Sequence, residues 1–176
     1  MTGYQKNTQN FTGDHLDELL RTLRNVPSEL TRRPQWVVWR YETRDGKETK
    51  VPYIPGSGAG GKRASTRDLM TWRTFEEATD ALRQGSGKWD GVGFVFCSGD
   101  PFVGVDLDDV RDPETGDLQS WAETIVESMR EGAYIEASPS GRGVHLICRG
   151  KFGGKRRGSV EVYSQERYFT FTGEVL

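Results

Sequence analysis

The chain has 176 residues, of which 28% are charged and 34% hydrophobic, and its formal net charge is −2. That length suits one domain with at most a short appendage, and such a body buries a core without disulfide or metal staples. The composition excludes collagen, a coiled coil, a disulfide miniprotein and a largely disordered chain. A near-neutral total does not exclude a nucleic-acid partner, because binding depends on local patches of charge.

Residues 1–13 read as a polar leader without the apolar core of a signal peptide. A short helix follows over 14–24, with Leu16, Leu19, Leu20 and Leu23 at helical spacing and Pro27 beyond its end. His15 falls on its polar side. The β-formers of 35–41 and 49–54, with GKETK between them, predict a hairpin. A glycine-rich loop at 56–61 leads to Lys62, Arg63 and Arg67. The spacing then predicts a helix over 71–83 with Trp72, Phe75, Ala78 and Leu82 as its buried stripe.

Two apolar strands are expected at 91–97 and 102–108, joined by the turn SGDP. A loop carrying DPETGD precedes a helix over 118–130, with Trp121, Ile125 and Met129 on one face. Four more strands are expected at 133–138, 144–148, 159–163 and 168–172. This order predicts an α+β fold, an antiparallel sheet with helices on one face. Residues 1–30 form a leader and short helix, and residues 31–176 a single domain. Trp36 and Trp39 are expected in the core. Cys97 and Cys148 lie in apolar runs and read as buried reduced thiols of a cytosolic protein. No apolar stretch is long enough to cross a bilayer, so no membrane partner is expected.

Three segments carry chemistry. In VGVDLDDV, Asp106 and Asp108 stand two apart at a strand's end, so both project from one face while Leu107 points inward. Paired carboxylates repel unless a cation lies between them, and hard divalent ions favour oxygen ligands together with phosphates. The alternative is a solvated acidic turn. In SPSGRGVHLI, a tight loop of Ser140, Gly141, Arg142 and Gly143 opens a strand bearing His145; its free N–H groups and Arg142 suit phosphate oxygens. In GSVEVYSQERYFTFTG, Glu161 points away from the face that Val160 and Val162 bury, and Arg167 opens the next strand within reach. A carboxylate there needs a partner, either a metal or a cross-strand arginine. Lys151, Lys155, Arg156 and Arg157 occupy a glycine-rich connection suited to tracking a phosphate backbone.

The order of these segments resembles the archaeo-eukaryotic primase superfamily, and more narrowly the primase–polymerase (prim-pol) domain of phage and plasmid replication proteins. The matching text runs from PQWVVWRYETRDGKETKVPY through TWRTFEEA, DGVGFVF, VGVDLDD and SPSGRGVH to VEVYSQERYFTFTG. The resemblance implies an RRM-like catalytic sheet beside an N-terminal α/β unit, the two forming a cleft. It implies Asp106, Asp108 and Glu161 as ligands of Mg²⁺ or Mn²⁺, three acids converging at one point. It implies His145, Arg167 and Lys50 as nucleotide-binding residues. Where relatives often carry Ser, this chain has Gly143, which leaves any hydroxyl contact to Ser140.

The implied activity is template-directed DNA primase or polymerase chemistry with dNTPs or NTPs, on a single-stranded template and primer. A replicative helicase or further domains are implied as partners, in a prokaryotic cytoplasm with a phage or plasmid source. Two other readings use the same acids: a DxD glycosyltransferase acting on a nucleotide sugar, and a non-catalytic RRM-like nucleic-acid-binding module.

Overall fold

The computed structural model describes residues 13–85 and 87–176. The expected leader, apart from Gly13, lies outside these residues. The elements, in chain order, are α1 (Gly13–Thr22), α2 (Ser28–Thr31), β1 (Trp36–Arg44), β2 (Lys47–Tyr53), α3 (Phe75–Gln84), β3 (Gly91–Phe96), β4 (Phe102–Leu107), α4 (Ser120–Met129), β5 (Ala133–Ala137), β6 (Val144–Arg149), β7 (Lys155–Arg157), β8 (Val160–Tyr163) and β9 (Arg167–Phe171). The fold is α+β, with two antiparallel sheets ordered β2-β1-β3-β9 and β5-β6-β4-β8-β7. No helix among the described residues is long and apolar enough to cross a membrane.

Most local expectations hold, and the differences have physical reasons. The β1–β2 hairpin turns on Asp45 and Gly46, with φ of 50° and 76°. Two successive positive φ values match the right-handed strand twist, so the turn is tighter than GKETK suggested. Helix α3 begins at Phe75, four residues later than predicted. Thr74 caps it: its hydroxyl accepts from the Glu77 N–H, and its own N–H donates to the Glu77 carboxylate. This capping box satisfies the first-turn donors, and Trp72 packs instead with Val37 and Val95 on the other side of the first sheet. Trp121, expected inside, is 41% exposed; Ala122 and Val126 are the buried residues of α4.

Strands β3 and β4 do not form a hairpin. The turn between them carries the chain from one sheet to the other. Asp100, 4% exposed, secures that crossing by accepting from Gln35 Nε2 and from the N–H groups of Cys97 and Phe102.

Alternation on the second sheet separates two faces. Val105, Leu107, Val144, Leu146, Val160 and Val162 pack with Ala122 and Val126 of α4. The opposite face meets the first sheet, where Phe102 and Ile147 join Trp36, Phe94, Phe96, Phe169 and Phe171 in one core. Both Trp36 and Trp39 are buried, as expected. Gly104 lies at the contact. A Cβ there would lie 2.6 Å from Phe169 and 2.8 Å from Phe96, so only glycine lets the first sheet approach β4 this closely.

Candidate active site

Two residues beyond Gly104, the inter-sheet face turns polar. The register places Asp106 of β4 opposite both His145 of β6 and Glu161 of β8; His145 opposes Glu136 of β5, and Glu161 opposes Arg156 of β7. Directly opposed residues in antiparallel strands share a face. One polar row, Arg156–Glu161–Asp106–His145–Glu136, therefore crosses all five strands. The neighbouring row on the same face, Tyr163–Gly104–Ile147–Tyr134, is apolar or aromatic.

The row lies at the edge of a cavity of about 720 Å³ between the sheets. Asp106, His145, Arg156, Glu161 and Tyr163 contribute from the second sheet, and Lys50, Arg167 and Phe169 from the first. Ser65 and Thr66, from the loop after β2, close one side. Sequence reasoning missed that pair.

Glu136 is the other residue it missed. Its side chain is 0% exposed. The carboxylate accepts from the Tyr134 hydroxyl at 2.8 Å and from the N–H groups of Thr172 and Gly173, and its Oε1 lies 3.4 Å from His145 Nδ1. Every other neighbour of this carboxylate is a donor, so Nδ1 is placed to donate as well. Nε2 then faces Asp106, 3.7 Å from Oδ1. The Phe169 ring, 5.0 Å away, packs on the imidazole. The signal was present in AYIEA, where Glu136 shares a strand face with Tyr134 rather than with Ile135.

Burial pushes the Asp106 carboxyl above its usual range. His145 opposes that shift, the charge of Asp108 adds to it, Lys50 opposes it, and Glu161 adds again. Burial also lowers Lys50, against the pull of Asp106 and Asp108. The Glu161 carboxylate is held on both sides: Arg156 Nε lies 2.8 Å from Oε1, and the Tyr163 hydroxyl donates to Oε2 at 2.8 Å. Arg167 lies over the Tyr163 ring, 4.7 Å from its centroid.

Asp108 is the first residue past β4. It is exposed, and its N–H donates to the Ser159 carbonyl. The SPSGRG loop stays apart from this cavity. Ser138 Oγ accepts from the Gly143 N–H, and Ser140 Oγ from that of Arg142, so both hydroxyls brace the loop itself. A Cβ on Gly143 would lie 2.8 Å from the Leu107 carbonyl, which accounts for glycine there. Ser140 and Gly141 border a second cavity of about 390 Å³ beside Trp39 and Tyr41. Lys151, Lys155, Arg156 and Arg157 are exposed; the last three form β7, an edge strand where a loop was expected.

The carboxylates whose charges raise Asp106, those of Asp108 and Glu161, are of the ligand type that a hard divalent cation takes. The acids do not form a closed cage. Among the described residues, no group of three or more His, Cys, Asp or Glu side chains is gathered tightly enough to hold a metal ion. Arg156 occupies one oxygen of Glu161, and Asp108 stands outside the strand.

No family model matches the chain. A DNA primase-polymerase of Nitratiruptor phage NrS-1 is 37% identical to it over an alignment of 156 residues, and the match covers 84% of this chain and 20% of the phage protein. The chain therefore spans about one fifth of the relative it matches. That likeness supports a prim-pol domain, the family its motifs resemble.

Proposed function

We propose that this chain, a relative of a phage primase–polymerase, performs template-directed nucleotidyl transfer: a primer 3′-hydroxyl attacks the α-phosphorus of a nucleoside triphosphate, the new phosphodiester forms, and pyrophosphate leaves. One observation carries the reading. Asp106 sits between Glu161 and His145 in a single cross-strand row, facing a cavity whose other wall bears Lys50 and Arg167.

Asp106, Asp108 and Glu161 would hold Mg²⁺ or Mn²⁺, which supply Lewis-acid activation of the hydroxyl and charge stabilisation at the phosphates. His145, with Nδ1 directed to Glu136, presents Nε2 to the cavity and donates to a phosphate oxygen when protonated. Lys50 and Arg167 approach from the first sheet and offset the charge that develops on the leaving pyrophosphate. Phe169, buried against Gly104, forms an apolar part of the cavity wall beside His145.

A primer-extension and primer-synthesis assay on single-stranded template tests this, with dNTPs and NTPs supplied separately and with each metal. Extension by the wild-type chain is expected, with loss in Asp106→Asn and Glu161→Gln at unchanged circular dichroism. Wild-type rates in either variant would remove the proposal.

A further inference from the structure

The segment between β6 and β7 places an exposed aromatic ring among cations at the rim of the cavity. Phe152 is 46% exposed. It is flanked by Lys151 and, beyond Gly153 and Gly154, by Lys155, Arg156 and Arg157 of β7, all exposed. Its backbone is anchored on both sides. The Phe152 N–H donates to Ser164 Oγ at 3.4 Å, and the Ser164 hydroxyl donates back to the Phe152 carbonyl. Ser164 follows Tyr163, a cavity residue, and a Cβ added to Gly154 would lie 3.8 Å from the Tyr163 ring. Phe152 is thus tied to the rim rather than left on a free loop.

Of the acids nearby, Asp108 beyond β4 is exposed, and two others are paired. Glu161 pairs with Arg156, and Glu166 with Arg67 at 2.7 Å. Lys151, Lys155 and Arg157 then leave the rim with excess positive charge. Strand β7 is bonded to β8 alone and forms the edge of its sheet.

We infer that Phe152 is a stacking platform for one base of a single strand whose neighbouring phosphates lie along Lys151, Lys155 and Arg157. A cationic track interleaved with an aromatic ring is the pattern that binds single strands without reading sequence. The inference rests on the proposed polymerase reading, for which it names the element that guides the template to the cavity.

The test is fluorescence anisotropy of the full chain with a labelled oligothymidylate, over a range of salt and without metal or nucleotide. Phe152→Ala and Phe152→Leu are each expected to weaken binding about tenfold at an unchanged salt slope, and Phe152→Trp to keep wild-type affinity. The double variant Lys155→Gln, Arg157→Gln should reduce the salt slope by about 1.4. Wild-type affinity in Phe152→Leu would show that any apolar cover suffices and would overturn the inference, as would wild-type affinity in Phe152→Ala or no oligonucleotide binding at all. Binding with this pattern in a chain that extends no primer would leave the inference standing and remove the polymerase reading. Extension with an indifferent Phe152 would do the reverse.

Discussion

Arg156 Nε lies 2.8 Å from Glu161 Oε1, so the carboxylate opposite Asp106 is already half of an ion pair. Sequence reasoning left a metal and a cross-strand arginine as rival partners for Glu161. Under the proposed function, the arginine would give way as a cation arrives.

Removing the arginine should favour the cation. Arg156 is 67% exposed, and pairs of that kind contribute about 0.2–1 kcal/mol. Arg156→Ala is therefore expected to tighten Mn²⁺ binding, by about fivefold at most. Calorimetric titration without nucleotide checks it, and unchanged or weaker binding would count against Glu161 as a ligand.

Asp106 should trade stability for function. Its folded-state carboxyl is raised by burial and by the charges of Asp108 and Glu161. A raised acid costs stability while ionised, and that cost is relieved as pH falls through the folded value. Asp106→Asn is thus expected to melt higher than wild type at pH 7, by about 2–4 °C for each kcal/mol gained. The two curves should converge in acid. Added Mn²⁺ should raise the melting temperature of the wild type and leave that of Asp106→Asn unmoved. A variant that melts lower at pH 7 would show the carboxylate to be well compensated.

Glu136 is expected to act through His145. In Glu136→Gln, the oxygen stays with Tyr134 and Gly173 and the amide N–H₂ turns to Nδ1, reversing which ring nitrogen carries the proton. Nitrogen NMR of the imidazole reads this directly. The same variant should lose about 1–3 kcal/mol of stability from mismatched buried donors, and kcat/KM for the nucleotide should fall about tenfold. An unchanged ring tautomer would assign Glu136 to folding alone.

The fit between the sheets is testable at one carbon. Gly104→Ala places a methyl 2.6 Å from Phe169 and is expected to cost about 1–3 kcal/mol in denaturant unfolding. Gly132→Ala meets nothing within 4 Å and should stay within about 0.5 kcal/mol of wild type. Equal effects would mean that the sheets adjust freely.

The similarity to the phage primase-polymerase bears out the resemblance read from the motifs, and the fold class holds with it. Strand and helix identities were legible because alternation and helical spacing are local properties. Asp106, His145 and Glu161 stood out because each is polar beside residues that must be buried. Trp121 misled for a related reason: periodicity marks a face, while the depth of burial depends on what packs against it.

What the sequence determined by itself was most of the elements and which side chains share a face within each strand, since both follow from backbone geometry over a few residues. Pairing between strands was left to the tertiary structure. Only the fold placed β3 and β4 in different sheets, set Glu136 behind His145, brought Arg156 onto Glu161 and kept Ser140 away from the cavity. Such contacts join residues far apart in the chain, and their register depends on how two complete sheets fit across Gly104.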